Sequence, residues 1–469
     1  MEQPIKDTEE FRNSVSTISK TGNRVWVYPK KPKGSFYNKR KIFSYLLLIL
    51  LFGLPFIKYD GRPFVLFNFL DREFIIFGLF FTPQDFFLFA LGMLTFIVFI
   101  VLFTVIFGRI FCGWMCPQTI FMEMVFRRIE YAIEGDYKAQ QKLNKAPWNR
   151  PKIIKKTLKH TIFIIISLII ANTFLAYIIG IDKVGEIISE PISQHLQGFG
   201  SMIIFTAIFY GVFAFFREQV CTNVCPYGRL QGVMLDKNSI IVTYDNVRGE
   251  PRGKKSKKAP VDLGDCIDCK LCVHVCPTGI DIRNGTQLEC INCTACMDAC
   301  DEVMTKISRP TGLIRYDSLL GVEEGRGKLF TGRVWAYTAV LALLVGVNVF
   351  LFSTRSSVET LILKARGTRY ILVENHVSNI YDYEVNNKTN DDLPIEFKIV
   401  GGFDQGNAII ELIGNQNPVA PANSTLNGKF FIKAVTSDLE NRKSKVMIEI
   451  ISEGKVVDKT KTNFSGPEK

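Results

Sequence analysis

Two repeated cysteine runs constrain this chain more than any other feature of its sequence, because each has the spacing Cys-x2-Cys-x2-Cys-x3-Cys. The first run consists of Cys266, Cys269, Cys272 and Cys276, and the second of Cys290, Cys293, Cys296 and Cys300. In the bacterial two-cluster arrangement, three thiolates of a run bind one 4Fe-4S cubane and the fourth binds the other. The spacing therefore predicts two 4Fe-4S clusters in a small α+β ferredoxin fold. One cluster is assigned to Cys266, Cys269, Cys272 and Cys300, and the other to Cys290, Cys293, Cys296 and Cys276.

Zinc is the alternative, since two zinc ions with four thiolates each would also use eight cysteines. Zinc modules usually separate their Cys-x2-Cys pairs by a longer spacer, so the spacing favours iron-sulfur. None of the 12 cysteines lies beyond residue 300. Clustered thiols at metal-ligand spacing indicate a reducing compartment rather than a disulfide framework.

Long apolar stretches predict an α-helical membrane domain. A spanning helix needs about 20 mostly apolar residues. Five stretches are candidates for transmembrane helices: 42–57, 86–107, 162–181, 199–216 and 335–352. A sixth apolar stretch, 64–82, is interrupted by three charged residues at 71–73, and we interpret it as interfacial rather than spanning.

Lysine and arginine alternate between abundant and scarce in the successive loops, which is the pattern that orients bacterial membrane proteins. The net charge of +12 is therefore interpreted as a topology signal rather than as a nucleic-acid surface. The predicted order is a cytoplasmic basic tail (1–41), a four-helix membrane domain (42–217), an inserted cytoplasmic ferredoxin region (218–334), the fifth helix (335–352) and a periplasmic domain (353–469). All cysteines then lie on the cytoplasmic side of a bacterial inner membrane.

The periplasmic domain is predicted to be a small antiparallel β-sandwich. Its segments 370–385, 395–400, 408–413, 429–435 and 445–451 alternate apolar and polar residues and are separated by turn-forming residues. The domain contains no cysteine and no catalytic cluster, so we interpret it as a structural or docking domain.

Four further cysteines follow the second and fourth apolar stretches, each pair with the sequence Cys-x3-Cys-Pro. These membrane-edge cysteines are Cys112, Cys116, Cys221 and Cys225. The i, i+4 spacing places both thiols of a pair on one helix face. Soft thiolates favour Cu(I), zinc or iron-sulfur. A redox or copper site, a dithiol relay and buried structural cysteine all remain open from the residues alone.

The absence of other motifs narrows the chemistry. None of the four histidines lies in a predicted span, so a bis-histidine haem in the bilayer has no ligands. No GxGxxG motif accompanies a strand-helix unit, so the sequence gives no nucleotide site. The electron donor is therefore expected to be a separate molecule, which the sequence does not identify.

Several segments resemble the cytochrome c oxidase accessory protein family CcoG/FixG/RdxA. They are 77–90, GRIFCGWMCPQT at 108–119, 133–148, the ferredoxin runs, and 217–253, which contains REQVC and YDNVRGEPRG. The resemblance implies a role in assembling cbb3-type cytochrome c oxidase, by reduction of Cu(II) to Cu(I). It also implies an immunoglobulin-like C-terminal domain, with oxidase subunits or copper chaperones and transporters as partners.

Different functions fit these features. The first is a cupric reductase that takes copper as its substrate. Its catalytic residues would be the membrane-edge cysteines Cys112, Cys116, Cys221 and Cys225. The second is a quinol-coupled polyferredoxin that conducts electrons to a respiratory reductase without copper chemistry. A third, non-enzymatic, hypothesis is a redox-sensing assembly scaffold.

Overall fold

The computed structural model forms two compact units, Met1–Ile57 with Leu91–Gly346, and Lys58–Ala90 with Val347–Lys469. It describes residues 17–18, 21, 23–59, 61–70, 73–81, 85–253, 263–325, 327–365, 367, 370–373, 375–402, 408–436 and 443–467. Residues 1–16 of the predicted basic tail lie outside these ranges.

Four of the five predicted spans correspond to helices that are long and apolar enough to cross a membrane. Among the described residues these are Phe86–Phe107, Arg150–Ile179, Leu196–Phe216 and Gly332–Ser353. The second of them begins well before the predicted residue 162. Asn149 caps its first turn by accepting a hydrogen bond from the Lys152 amide, and proline follows at the second helical position. The structure thus supports a multi-helix membrane domain.

The predicted span 42–57 lies on helix Ser35–Gly53, which is not one of these four. Its first turns are basic, and it ends where Leu54–Phe56 forms a 3-10 turn. The Asp298 carboxylate accepts the backbone N–H groups of Phe36 and Tyr37 at one end. At the other end, Tyr177 donates its hydroxyl to the Leu51 carbonyl at 2.7 Å.

Short helices follow the ends of the two cysteine-bearing spans. They are Ile110–Trp114, Pro117–Ile120, the π-helical Phe121–Phe126, Arg127–Ile133 and Tyr137–Lys145 after the first, and the π-helical Val220–Val224 and Pro226–Met234 after the second. Helix Ile181–Ser189 lies between the spans Arg150–Ile179 and Leu196–Phe216. Proline stands at the first helical position after both Cys116 and Cys225, so each Cys-x3-Cys-Pro motif ends one helix and starts another.

The ferredoxin region has an α+β fold. Strand Ile241–Tyr244 pairs antiparallel with Ile314–Asp317. Its helices are Asn246–Gly249, Leu271–His274, the 3-10 turn Ile282–Asn284, Ala295–Lys306 and Leu319–Glu324. Its apolar core includes Val242, Ile280, Met304 and Leu313, packed around cysteines of both runs.

The apolar stretch 64–82 contains a three-stranded antiparallel sheet rather than a helix. The strands are Val65–Asn68, Glu73–Ile76 and Leu79–Phe81, preceded by the short pair Lys58–Tyr59 and Arg62–Pro63. Phe77 and Gly78 both have positive φ, as a tight hairpin turn requires. Strands of three or four residues are too short to span a bilayer, in agreement with the prediction that this segment does not cross.

The C-terminal domain is a β-sandwich. One sheet contains Ile409–Ile413, Ser424–Val435, His376–Asn387, Val358–Lys364 and Ile371–Val373, and the other contains Glu396–Gly401, Lys443–Ser452 and Lys455–Ser465, with Leu393–Pro394 paired to Val419–Ala420. Tyr381, Phe430, Ile448 and Phe464 are fully buried between the sheets. The strands at 358–364 and 455–465 were not predicted.

Candidate iron-sulfur and membrane-edge thiol site

The first cavity of the ferredoxin region is lined by four cysteines, Cys266, Cys269, Cys272 and Cys300. Its other walls include Ile267, Val303 and Met304. Cys266 and Cys272 are buried, whereas Cys269 is exposed. These are the four thiols that the sequence assigns to one cluster, and the cavity reaches the surface at one of them.

The second cavity is lined by Cys276, Cys290, Cys293 and Cys296, and also by Cys272, which lines the first cavity as well. The last cysteine of each run lines the cavity of the other run, because Cys300 reaches the first cavity and Cys276 the second. The structure therefore brings the eight thiols together around two cavities, with Cys272 lining both, and their division into two ligand sets stays a prediction.

Both runs use the same backbone turns to direct their thiols inward. Asp268 and Lys270 in the first run have positive φ, as do Asn292 and Thr294 at the equivalent positions of the second. Non-glycine residues seldom adopt this left-handed conformation. Its repetition wraps each run around its cavity.

Burial makes these thiols poor acids in the absence of positive charge. It raises the pKa of Cys272, Cys290 and Cys300 to about 12 and that of Cys293 to about 11. Iron ions supply the positive charge that thiolates need. Cavities with four sulfur donors and mostly apolar walls fit a 4Fe-4S cubane. Within the described ranges, no three Cys, His, Asp or Glu side chains converge as ligands of a single metal ion.

The four membrane-edge thiols lie together. Cys112 is on helix Ile110–Trp114, and Cys221 is on the π-helical turn Val220–Val224. Cys221 interacts electrostatically with the other three, and Cys112 interacts with Cys116 and Cys225. Burial first, and these neighbouring thiols second, raise the pKa of Cys221 to about 12, and burial likewise raises that of Cys112 to about 11. The fold thus unites two motifs that are more than a hundred residues apart.

Polar groups from two helices surround Cys112. Its thiol donates to Gln231 Oε1 at 2.9 Å, and Gln231 Nε2 donates to the Tyr227 hydroxyl at 2.7 Å and to Thr104 Oγ1 at 3.1 Å. Arg109 Nη2 lies 4.0 Å from Cys112 Sγ. Gln231 is 1% exposed, so these polar groups around Cys112 are shielded from solvent.

A close backbone contact joins the membrane edge to the second cysteine set. A Cβ at Gly113 would lie 2.3 Å from the Ile291 carbonyl oxygen and 3.1 Å from Cys293 Cα, so only glycine fits. Beside it, Cys112 packs against Ile291, Cys293 and Ala295. A small cavity lies between Cys221 and the residues Pro277 and Thr278.

Buried ion pairs support this junction. Arg127 pairs with Glu123 at 3.0 Å and with Glu218 at 3.1 Å, and it also donates to the Pro277 carbonyl, next to Cys276, at 3.0 Å. Arg217 pairs with Glu130 at 2.9 Å. All these side chains are at most 10% exposed. They connect the segment after the first Cys-x3-Cys-Pro motif with the residues just before the second motif and with Pro277, which follows the last cysteine of the first run.

Two other arginines of the junction were not predicted from the sequence. Arg40 is 2% exposed, and its Nε donates to the Gly113 carbonyl at 2.7 Å. Arg109 is 3% exposed and donates to the Leu288 carbonyl. Arg40 belongs to the basic cluster Lys39-Arg40-Lys41, whereas Arg109 is an isolated arginine that follows the second apolar stretch. Neither position is distinguished in the sequence from a basic residue that marks topology.

Three family models match the chain. A 4Fe-4S dicluster domain matches residues 216–319, a 4Fe-4S binding domain matches 89–135, and the Ig-like fold at the C-terminus of FixG matches 348–467. The membrane-edge cysteines thus lie within iron-sulfur models: Cys112 and Cys116 in the second, Cys221 and Cys225 in the first.

Curated relatives agree. Protein RdxA of Cereibacter sphaeroides is 32% identical over 86% of this chain and 88% of its own length. Protein RdxB of the same organism is 32% identical over 90% and 91%. The chain belongs to the FixG/RdxA family. The nitrogen fixation protein FixG of Rhizobium meliloti is 38% identical over 62% of this chain, which spans 57% of FixG. The predicted family is confirmed, and this FixG/RdxA protein is a membrane iron-sulfur protein of electron transfer.

Proposed function

We propose that this FixG/RdxA protein reduces Cu(II) to Cu(I) at the membrane-edge cysteines and thereby serves the assembly of a cbb3-type cytochrome c oxidase. The observation that supports this most directly is the junction at Gly113, where Cys112 packs against Cys293 of the second cysteine set. Thiolate sites prefer Cu(I), so a four-thiol site favours the reduced product.

The eight ferredoxin cysteines are the proposed cluster ligands. Cys266, Cys269, Cys272 and Cys300 would hold one cluster, and Cys290, Cys293, Cys296 and Cys276 the other. A bound 4Fe-4S cluster takes up and releases single electrons. Each Cu(II) reduced consumes one electron, which a separate donor, either a cytoplasmic carrier or a membrane quinol, would supply.

The two cysteine sets have different surroundings, and this difference suggests a direction for electron transfer between them. All residues that line the first cavity belong to the ferredoxin region, and Cys269 is exposed. The second set contacts the membrane-edge helices instead. We therefore assign the first set to the donor side and the second set to the copper side.

The proposed topology places the ferredoxin region in the cytoplasm and the sandwich in the periplasm. Besides the distribution of basic residues, ion pairs of Asp85 support it, since Asp85 contacts Arg355 at 2.7 Å and Lys388 at 2.8 Å. The segment before helix Phe86–Phe107 and the domain after helix Gly332–Ser353 therefore share one side. Oxidase subunits or copper chaperones and transporters are the proposed partners.

The test is Cu(II) reduction by anaerobically purified protein, reduced with dithionite, desalted, and assayed with a Cu(I)-specific chelator. Replacing Cys221 and Cys225 together by serine is expected to abolish Cu(I) formation while the EPR signals of two reduced 4Fe-4S clusters persist. Met115→Leu, which removes a sulfur atom but no thiol from the other motif, is the matched control. It should keep the rate of Cu(I) formation.

An unchanged rate in the double variant would overturn the assignment of copper reduction to these thiols. If the intact protein forms no Cu(I) but its clusters are reduced by a quinol, the quinol-coupled conduit replaces copper reduction as the function.

A further inference from the structure

We propose that Arg40, with Arg109, is the buried counter-charge of the second cluster and holds its reduction potential above that of the first. The proposal rests on the proposed cluster ligands but not on copper chemistry. It concerns two side chains that no sequence motif singles out.

Arg40 is a buried cation without an acidic partner. Its Nε donates to the Gly113 carbonyl, whereas its Nη2 makes no hydrogen bond. Of the carboxylates that the structure describes, none forms an ion pair with it. The nearby Asp298 carboxylate accepts the backbone N–H groups of Phe36 and Tyr37 instead.

Arg109 repeats the pattern on the other side of the junction. It is 3% exposed, its Nε has no hydrogen-bond partner, and it forms no ion pair with any described carboxylate. It interacts electrostatically with Glu289 without pairing with it. Its Nη2 instead approaches Cys112 Sγ.

Two neighbouring buried arginines have the carboxylate partners that Arg40 and Arg109 lack among the described residues. Arg127 has two carboxylate partners, Glu123 and Glu218, and Arg217 has Glu130. A charge buried without a partner is strongly unfavourable, so buried arginines are normally paired. Arg40 and Arg109 therefore need an anion that the described carboxylates do not provide.

The sulfur atoms of the second set are the groups that can provide it. Arg40 interacts electrostatically with Cys293, and Arg109 with Cys290. Glu123 also acts on Cys293, but it is engaged by Arg127. A 4Fe-4S cubane with four thiolates is an anion, and reduction adds one further negative charge. Fixed cations nearby therefore favour the reduced form.

The first set has the opposite surroundings. Arg283, which lines its cavity, is paired with Asp281 at 2.6 Å and with Asp268 at 2.5 Å. One cation between two carboxylates leaves a net negative charge. Lys270 also lines this cavity but is exposed, so solvent screens it. The charge difference raises the potential of the second cluster relative to the first and favours transfer toward the membrane edge.

The test is an EPR-monitored redox titration of the purified holoprotein with Arg40→Gln, Arg40→Lys and the control Lys39→Gln. Lys39 is the exposed neighbour of Arg40 on the same helix. Arg40→Gln is expected to lower the reduced-to-oxidised ratio of the second cluster about tenfold at fixed potential, or about 59 mV for one electron. The midpoint potential of the first cluster should stay unchanged in Arg40→Gln. The second cluster's midpoint should stay close to the wild-type value in Arg40→Lys and should equal it in Lys39→Gln.

An unshifted second midpoint in Arg40→Gln at full iron content would overturn the proposal, as would equal shifts in the glutamine and lysine variants. If Arg40→Gln does not retain its clusters, the Arg109→Gln titration decides by the same criterion. A shifted midpoint in protein that forms no Cu(I) would support this inference and contradict the copper proposal alone.

Discussion

At the residue scale, Gly113 is the position where a single methyl group has the largest expected consequence. Gly113→Ala places a Cβ against the Ile291 carbonyl, so the second cysteine loop must shift. We expect loss of about half of the iron and of the second cluster's EPR signal. Iron and sulfide analysis after anaerobic purification measures this.

The matched control is Gly211→Ala, because Gly211 is also helical and a Cβ there meets no atom within 4 Å. Full iron content in Gly113→Ala would show that the loop accommodates the methyl group and that the contact is not tight.

A second residue-scale prediction concerns Arg127. Arg127→Met removes the partner of Glu123 and Glu218 and leaves buried carboxylates uncompensated, which costs about 3–5 kcal/mol of folding free energy. Denaturation of the detergent-solubilised protein should show a clearly lowered midpoint. Arg128→Met is the control, since Arg128 is only half-buried and has no described ion pair. Equal midpoints for the two variants would contradict a supporting role of the network.

The cysteine sets were predictable because their geometry is local, whereas the junction was not. Spacing within a run brings its first three thiols to one cavity, and the repetition of the run predicts that the fourth thiol lies at the other cavity. Gly113 and Ile291 each lie inside a cysteine motif, but their contact depends on how these two distant segments pack, which neither motif specifies. Arg40 lies between Lys39 and Lys41, and only the rotation of the helix about its axis makes one inward-facing. Ligation of iron by the eight thiols stays a prediction.

At the element scale, the ion pairs of Asp85 connect the start of one membrane helix to the sandwich. Burial alone would raise the pKa of Asp85, but hydrogen bonds and attraction from Arg355 and Lys388 outweigh it, so the pKa is lowered. The stability that Asp85 contributes is therefore present above about pH 4 and is lost as the pH falls through its lowered pKa.

Asp85→Asn should lower the unfolding temperature at pH 7 and have a much smaller effect near pH 3. Thermal unfolding of wild type and variant at both pH values measures the difference. A variant that is destabilised equally at both would show that the carboxylate charge contributes little.

Elements were predictable where hydrophobic pattern dominates. The spans stand out by length, and the strand 443–452 by its alternation. Strand Lys455–Ser465 was missed because lysine, threonine and asparagine occupy much of it and Phe464 is its fully buried apolar residue. The predicted first span was only partly supported because three basic residues fall inside its helix.

At the scale of the whole molecule, the number of crossings determines on which sides the two termini lie. We expect helix Ser35–Gly53 to cross as a fifth span. Its 19 residues extend about 28 Å, from Asp298 of the ferredoxin region to Tyr177, close to the end of helix Arg150–Ile179.

Terminal tags test this topology. In spheroplasts, external protease should remove a C-terminal tag and spare an N-terminal one, with inside-out vesicles giving the reverse. Removal of both tags from spheroplasts would show four crossings and an outward N-terminus.

The exposure of Cys269 also predicts the order in which oxygen would damage the two cysteine sets. Oxidants reach sulfur according to its accessibility, and the first cavity opens at this cysteine while membrane-edge helices cover the second. Oxidative damage should therefore start at the first cysteine set, the outer site, and the second set, the inner site, should survive longest. An aerated cell would then hold molecules that no longer accept electrons but still keep their inner iron, and repair would need access only from the water-facing side.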